Sequence, residues 1–250
     1  MKVSIYKDYE TLSRHAAEIM FSTLQQSPKA VYCVATGDSP KLTYQYFVER
    51  IKSTQTDPTA LSLIALDEWI GIPPDNEGSC HWFLHHYLIQ PLGLKPDQVN
   101  LFNALSSNRE EECRKADSFI QQKGGIDLMV VGVGMNGHIG FNEPGADLQQ
   151  TAHVAELAPI TRSVGQKYFK GKTELQYGFT VGLKQVMESR KLMVLASGEK
   201  KAGIMSQAIE GTSSVQCPAS LVQQHKQGIV LLDEGAASGL DRKKLPIGSE

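Results

Sequence analysis

No apolar run in the 250 residues approaches the length of a membrane-spanning helix, and the opening stretch MKVSIYKDYE has no signal-like apolar core. The four cysteines, Cys33, Cys80, Cys113 and Cys217, stand far apart, with no C-x-x-C pair and no zinc-ribbon spacing. Neither charge sign dominates. The 25 Lys and Arg against 27 Asp and Glu leave a net charge of −2, which gives no general attraction to nucleic acid or acidic membranes. Internal repeats, low-complexity tracts and linker-like shifts of composition are missing as well. These absences predict reduced thiols, a cytoplasmic protein, and a small-molecule partner rather than a nucleic acid or a membrane. What is present is an ordinary globular composition, 41% hydrophobic and 21% charged, at a length suited to a single domain over 1–250.

Short apolar runs alternate with amphipathic stretches. MKVSIY, AVYCVA, LSLIAL, IDLMVV, KLMVLAS and GIVLL read as strands, with a shorter one at VNLF. Helices are expected after Asp8, where Leu12, Ala16, Ile19 and Met20 keep helical spacing, and from Ser39-Pro40 and Ser79. Two more are expected over NREEECRKADSFIQQKGG and KKAGIMSQAIEG. The stretch from the end of IDLMVV to about residue 175 reads as irregular, and the tail DRKKLPIGSE as loosely held. The alternation predicts an α/β protein: a three-layer sandwich with a mostly parallel, Rossmann-like sheet and helices on both faces.

VVGVGMNGHIGFNEPG, residues 130–145, carries Gly132-x-Gly134-x-x-Gly137 after an apolar run, the spacing of a dinucleotide-binding loop. Such a loop opens a long helix, and Gly140, Pro144 and Gly145 oppose one. The spacing alone is weak ground for a nicotinamide or flavin, and the residues around it need another use. Ligands in open α/β sheets lie beyond the carboxyl ends of the strands. TGDS, DEW, GVGMNGHIGFNE and SGEKK all sit at such ends, so one composite site is more economical than four unrelated decorations.

Thr36-Gly37-Asp38-Ser39 and Gly198-Glu199-Lys200-Lys201 each lead a strand into a helix N-terminus. Free N–H groups there, with Ser39 and Lys201, favour an anion, although Asp38 must then point elsewhere. The plainer reading of each is an ordinary capped turn. Asp67, ending an apolar strand, is either a turn cap or a partly desolvated base. His138, among glycines, is either a loop histidine satisfied by backbone groups or a proton shuttle whose tautomer Glu143 holds. His81 and His85 stand at i and i+4 beside Cys80 and His86, a spacing that can bind zinc. Trp82 takes the place of the glutamate in a metalloprotease motif and no further ligand is evident, which favours a partly exposed helix face.

TGDSP-x-x-TY, LDEW, NGHIGFNEPG and SGEKKAGIMSQAIEG, in this order, resemble the glucosamine-6-phosphate deaminase/isomerase family from about Met20 to Asp233. LDEW, GSC-x-x-F, QPLGL and KGGIDL most resemble its galactosamine-6-phosphate isomerase branch; the glucosamine branch usually has tyrosine where this chain has Trp69. The resemblance implies a deaminating isomerase that converts galactosamine 6-phosphate to tagatose 6-phosphate and ammonia. The alternative is glucosamine 6-phosphate giving fructose 6-phosphate, and a 6-phosphogluconolactonase or a non-catalytic sugar-phosphate sensor stands further off.

Carried over by position, Asp67 resembles the family's proton-transfer base and His138 its ring-opening acid/base, oriented by Glu143. Asn136 stands where some members have a third carboxylate. Thr36, Gly37, Asp38, Ser39, Gly137, Lys167 and Lys201 form the implied phosphate and substrate site, with Lys167 where many members place arginine. The chemistry implied needs no metal, nicotinamide or pyridoxal phosphate. Ala146, Asp147 and Ala155 replace the serine pair and basic residue of an allosteric site found in some bacterial members, so no such activation is expected. A homo-oligomer is compatible with the family.

Overall fold

The structure, a computed structural model, describes residues 1–245, and residues 246–250 of the polar tail lie outside the described residues. β1 (Lys2–Tyr6) leads into α1 (Tyr9–Gln26), which starts where Asp8 Oδ1 accepts the Thr11 N–H at 2.8 Å. β2 (Val31–Val34), α2 (Asp38–Thr54), β3 (Ser62–Ala65) and β4 (Asp67–Trp69) follow. α3 (Cys80–Leu84) continues through a π-helical turn, His85–Ile89, into the short α4 (Gln90–Leu92), ahead of β5 (Val99–Asn100). After α5 (Arg109–Gln122) and β6 (Leu128–Gly132) come β7 (His153–Glu156), α6 (Pro159–Gly165), β8 (Tyr177–Thr180) and α7 (Leu183–Glu188). β9 (Leu192–Ala196), α8 (Ala202–Glu210) and β10 (Gly228–Asp233) complete the order. No helix of the described residues is long and apolar enough to cross a membrane.

Seven strands form one sheet in the order β1-β10-β9-β6-β2-β3-β5, every pair parallel. β2, β3 and β9 are buried throughout, which is why they read as continuous apolar runs rather than alternating ones. The chain steps one way across the sheet from β1 through β2 and β3 to β5, then back through β6 and β9 to β10. Right-handed crossovers therefore place α1 and α2 on one face and α5 and α8 on the other. α1 and α2 do pack together, with Arg14 over the Tyr46 ring at 4.1 Å and Arg50 paired with Glu18 at 3.0 Å. The reversal falls between neighbours β2 and β6, and an open α/β sheet has its ligand crevice at such a switch point.

A second, antiparallel sheet, β4-β8-β7, departs from the expectation. DEW is a strand in its own right rather than the end of LSLIAL. At Leu66 the chain leaves the parallel sheet, its N–H still bonded to Val34 and its carbonyl already accepting from Val181. β7 and α6 occupy the stretch expected to be irregular, and no local period announces β8 or α7. These strands are three or four residues long, too short for alternation to register, and their pairing is with segments far away in the chain. Trp69, Phe141, Leu157 and Leu175 pack into a small apolar cluster around this sheet, apart from the main core. α2 starts at Asp38, one residue earlier than expected, because Gly37 at φ +96° makes the turn that a side chain would strain.

Candidate active site

A cavity of about 750 Å³ opens at the β2–β6 switch point, and Thr36, Gly37, Asp38, Ser39, Asp67, His138, Lys167 and Lys201 all line it. Sequence segments separated by well over a hundred residues thus meet at one edge, as parallel topology requires. Asn136 and Glu143 lie behind His138 rather than on the wall. Gly137 is also off the wall: its φ of +85° shapes the loop, and a Cβ there would meet Cys217 Sγ at 2.7 Å.

Asp67 is 8% exposed, and the Cys80 thiol reaches its Oδ1 at 3.5 Å. Burial drives the carboxyl up to about 6, against the smaller opposing pulls of the Cys80 contact and of His138. A carboxylate so poorly solvated is ionised near neutrality yet basic enough to take a proton. Its neighbour Glu68 turns the other way and accepts the N–H groups of Trp69, Cys80 and His81 at 2.8, 3.0 and 2.7 Å. Those bonds pin the start of α3 to β4 and so fix Cys80 beside Asp67.

His138 Nδ1 stands 3.2 Å from the Thr161 hydroxyl and 3.5 Å from Glu143 Oε2. That same Glu143 oxygen accepts from the Asn136 amide at 2.7 Å, and Oε1 accepts the Ala158 N–H at 3.0 Å. Burial alone would raise the Glu143 carboxyl, but hydrogen bonds from His138 and Thr161, the His138 charge and the Ala158 N–H outweigh it and hold it at about 2. Glu143 is therefore a fixed anion that faces Nδ1 of the ring. Asn136, an uncharged donor, supports that anion. Thr161 comes from α6, in a stretch with no sequence period, and nothing local to it announces its contact with the ring.

Another part of the cavity wall gathers the N-terminus of α2, Ser39 and Lys201. Ser39 meets Gly132 across the switch point, where a Cβ on the glycine would touch it at 3.7 Å. The Asp38 carboxylate, also on the cavity wall, accepts from Lys167 Nζ at 2.6 Å, and its side chain is largely exposed. Lys201 Nζ donates to the Val133 carbonyl at 2.5 Å, and burial, then the Lys167 charge, pulls its ammonium below the usual lysine range. Tyr168 also lines the wall, and a Cβ on Gly37 would stand 2.7 Å from its hydroxyl oxygen. Away from the cavity, the His81, His85 and His86 face holds no metal constellation. Trp82 stacks on His86 at 4.7 Å, and no group of three or more His, Cys, Asp or Glu among the described residues is placed to hold an ion.

A doubly wound sheet with a buried carboxylate, a histidine and a lysine gathered on one cavity at its switch point is the plan of an α/β enzyme. The chain belongs to the family described as glucosamine-6-phosphate isomerases/6-phosphogluconolactonase, whose pattern matches residues 8–231. It is 36% identical over 239 residues to the glucosamine-6-phosphate deaminase of Thermoanaerobacter sp. (strain X514), covering 95% of this chain and 94% of that one. It is 37% identical over 227 residues to the provisionally named deaminase AgaI of Escherichia coli (strain K12), covering 91% and 90%. Among solved structures, a monomeric glucosamine-6-phosphate deaminase superposes with a TM-score of 0.92 at 32% identity, over 96% of this chain and all of that one. The chain is thus an enzyme of this family, and its α/β fold is the fold of those relatives.

Proposed function

We propose that the protein deaminates and isomerises a 2-amino-2-deoxyhexose 6-phosphate, releasing ammonia and a ketose 6-phosphate. The observation that carries this reading is the joint placement of Asp67 and His138 on one cavity with an anion-binding end. The substrate phosphate lies at the start of α2 against Ser39 and Lys201, with Lys167 able to exchange Asp38 for it. His138 relays the proton from the ring hydroxyl to the ring oxygen as the pyranose opens, exposing the C1 aldehyde. The imidazolium that this needs is stabilised by the fixed Glu143 anion.

Asp67 then takes the C2 proton, which the adjacent carbonyl acidifies; the electron pair forms the C1–C2 double bond while the carbonyl π pair moves to O1, which takes a proton from water to give an enolamine. Returning the proton to C1 gives a C2 iminium ion, which water converts to the ketone and ammonia. The carboxyl at about 6 suits both directions of this transfer.

Glucosamine 6-phosphate, giving fructose 6-phosphate, is supported by the names of the relatives that state a substrate. Galactosamine 6-phosphate, giving tagatose 6-phosphate, is supported by the branch-like segments and by Trp69, which forms part of the cavity wall. Ammonia release from each purified hexosamine phosphate, with steady-state constants for both, tests the reading and chooses the epimer. No ammonia from either, with hydrolysis of 6-phosphogluconolactone instead, would overturn it.

A further inference from the structure

Cys80 occupies an unusual position for a free thiol. It is 3% exposed, lines the cavity, accepts from the Thr36 hydroxyl at 3.1 Å and reaches Asp67 Oδ1 at 3.5 Å. The two contacts make a chain that runs from the turn before α2, where the phosphate would sit, to the carboxylate. Asp67 Oδ2 has no hydrogen-bond partner in the described protein, so the contact distinguishes the two oxygens. We propose that Cys80 is a positioning residue for Asp67: held by Thr36, its thiol orients the carboxylate through Oδ1 and leaves Oδ2 to take the substrate proton.

The choice of sulfur has a physical reason. A carbon-acid base has to be aimed, yet each strong donor on a carboxylate lowers its basicity. An S–H group is a weak donor, so it orients the carboxylate while stabilising its charge less than a hydroxyl at the same place would. The other titratable groups near the carboxylate are Glu68 on its own strand, His138 from the glycine loop, Cys33 of β2 and Tyr44 of α2. None of these donates to Oδ1. The inference rests on the assignment of Asp67 as base.

The test compares the pH dependence of kcat/KM for ammonia release in the wild type, Cys80→Ser and Cys80→Ala. The serine hydroxyl should move the acidic limb down by about one pH unit, and alanine should move it up, with kcat changing more than KM in both. A purely packing role would lower activity in both variants without moving the limb in opposite directions, and that result would overturn the proposal. The titration of the Asp67 carboxyl, followed by infrared difference spectroscopy and assigned with Asp67→Asn, reads the same contact without turnover. If the wild type releases no ammonia, the deaminase reading fails. The Cys80 contact is then judged by that titration alone: opposite shifts in the serine and alanine proteins sustain it, and coincident curves sink it.

Discussion

Gly134 lies against the imidazole of His138: a Cβ built on the glycine would stand 2.3 Å from the ring carbon Cε1 and 2.4 Å from both ring nitrogens. The second glycine of the Gly132-x-Gly134-x-x-Gly137 spacing therefore makes room for a histidine ring, not for a pyrophosphate. Its φ is not in the left-handed region, so alanine is compatible with the backbone and incompatible with the ring. Gly134→Ala should displace the imidazole and cut kcat on the order of 100-fold while the fold persists. Near wild-type turnover, with a normal circular dichroism melt, would place the working position of His138 elsewhere.

Asp67 and His138 are expected to fail in different ways when replaced. Sugar phosphates open slowly unaided, so His138→Gln should keep a slow route and, in deuterated water, still label C1 of its product. Asp67→Asn removes the positioned base for a carbon acid, and its ammonia release should fall much further. Comparable residual rates in the two variants would show that the carboxylate is not the base.

The same carboxyl has a stability signature. Its folded value, about 6, lies above the ordinary 3.8, so the native state holds the proton more tightly than the unfolded chain does. Stability is therefore lost as pH rises from about 4 to 6, and the loss is complete above that window. Asp67→Asn escapes it, and at pH 8 should exceed the wild type by up to about 3 kcal/mol in urea unfolding, the two converging below pH 4. A variant less stable than wild type at pH 8, with no convergence at low pH, would contradict the burial argument.

Lys201 and Lys167 are not equivalent anchors. Lys201 is the more enclosed, tied to the Val133 carbonyl, whereas Lys167 is half-exposed and already paired with Asp38. Lys201→Ala should raise KM on the order of 10- to 100-fold, the worth of a charge-assisted hydrogen bond, and Lys167→Ala by less. Unchanged KM in the first variant would remove Lys201 from the phosphate site.

Regulation by a second amino-sugar phosphate is not expected. Ala146 and Ala155 carry no polar group, and the Asp147 carboxylate caps its own turn by accepting the Gln149 N–H at 2.9 Å. Rate against substrate should be hyperbolic and indifferent to N-acetylglucosamine 6-phosphate. A sigmoidal curve straightened by that compound would show otherwise.

The parallel strands of the main sheet were readable because burial on both faces writes them as unbroken apolar runs, and the crossover helices because one apolar stripe repeats at helical spacing. From alternation alone it followed that TGDS, DEW, GVGMNGHIGFNE and SGEKK share one edge, which is enough to gather Asp67, His138 and Lys201. The small antiparallel sheet was not readable: Asp67 pairs with Thr180 and Thr180 with His153, and contacts over such separations leave no local period. For the same reason only the tertiary structure puts Thr161 on the His138 ring, Lys167 on Asp38 and Cys80 on Asp67. Residue types and short-range spacing supply the carboxylate, the imidazole and the ammonium; which oxygen or nitrogen of each is held, and by what, is decided where distant segments close on one another.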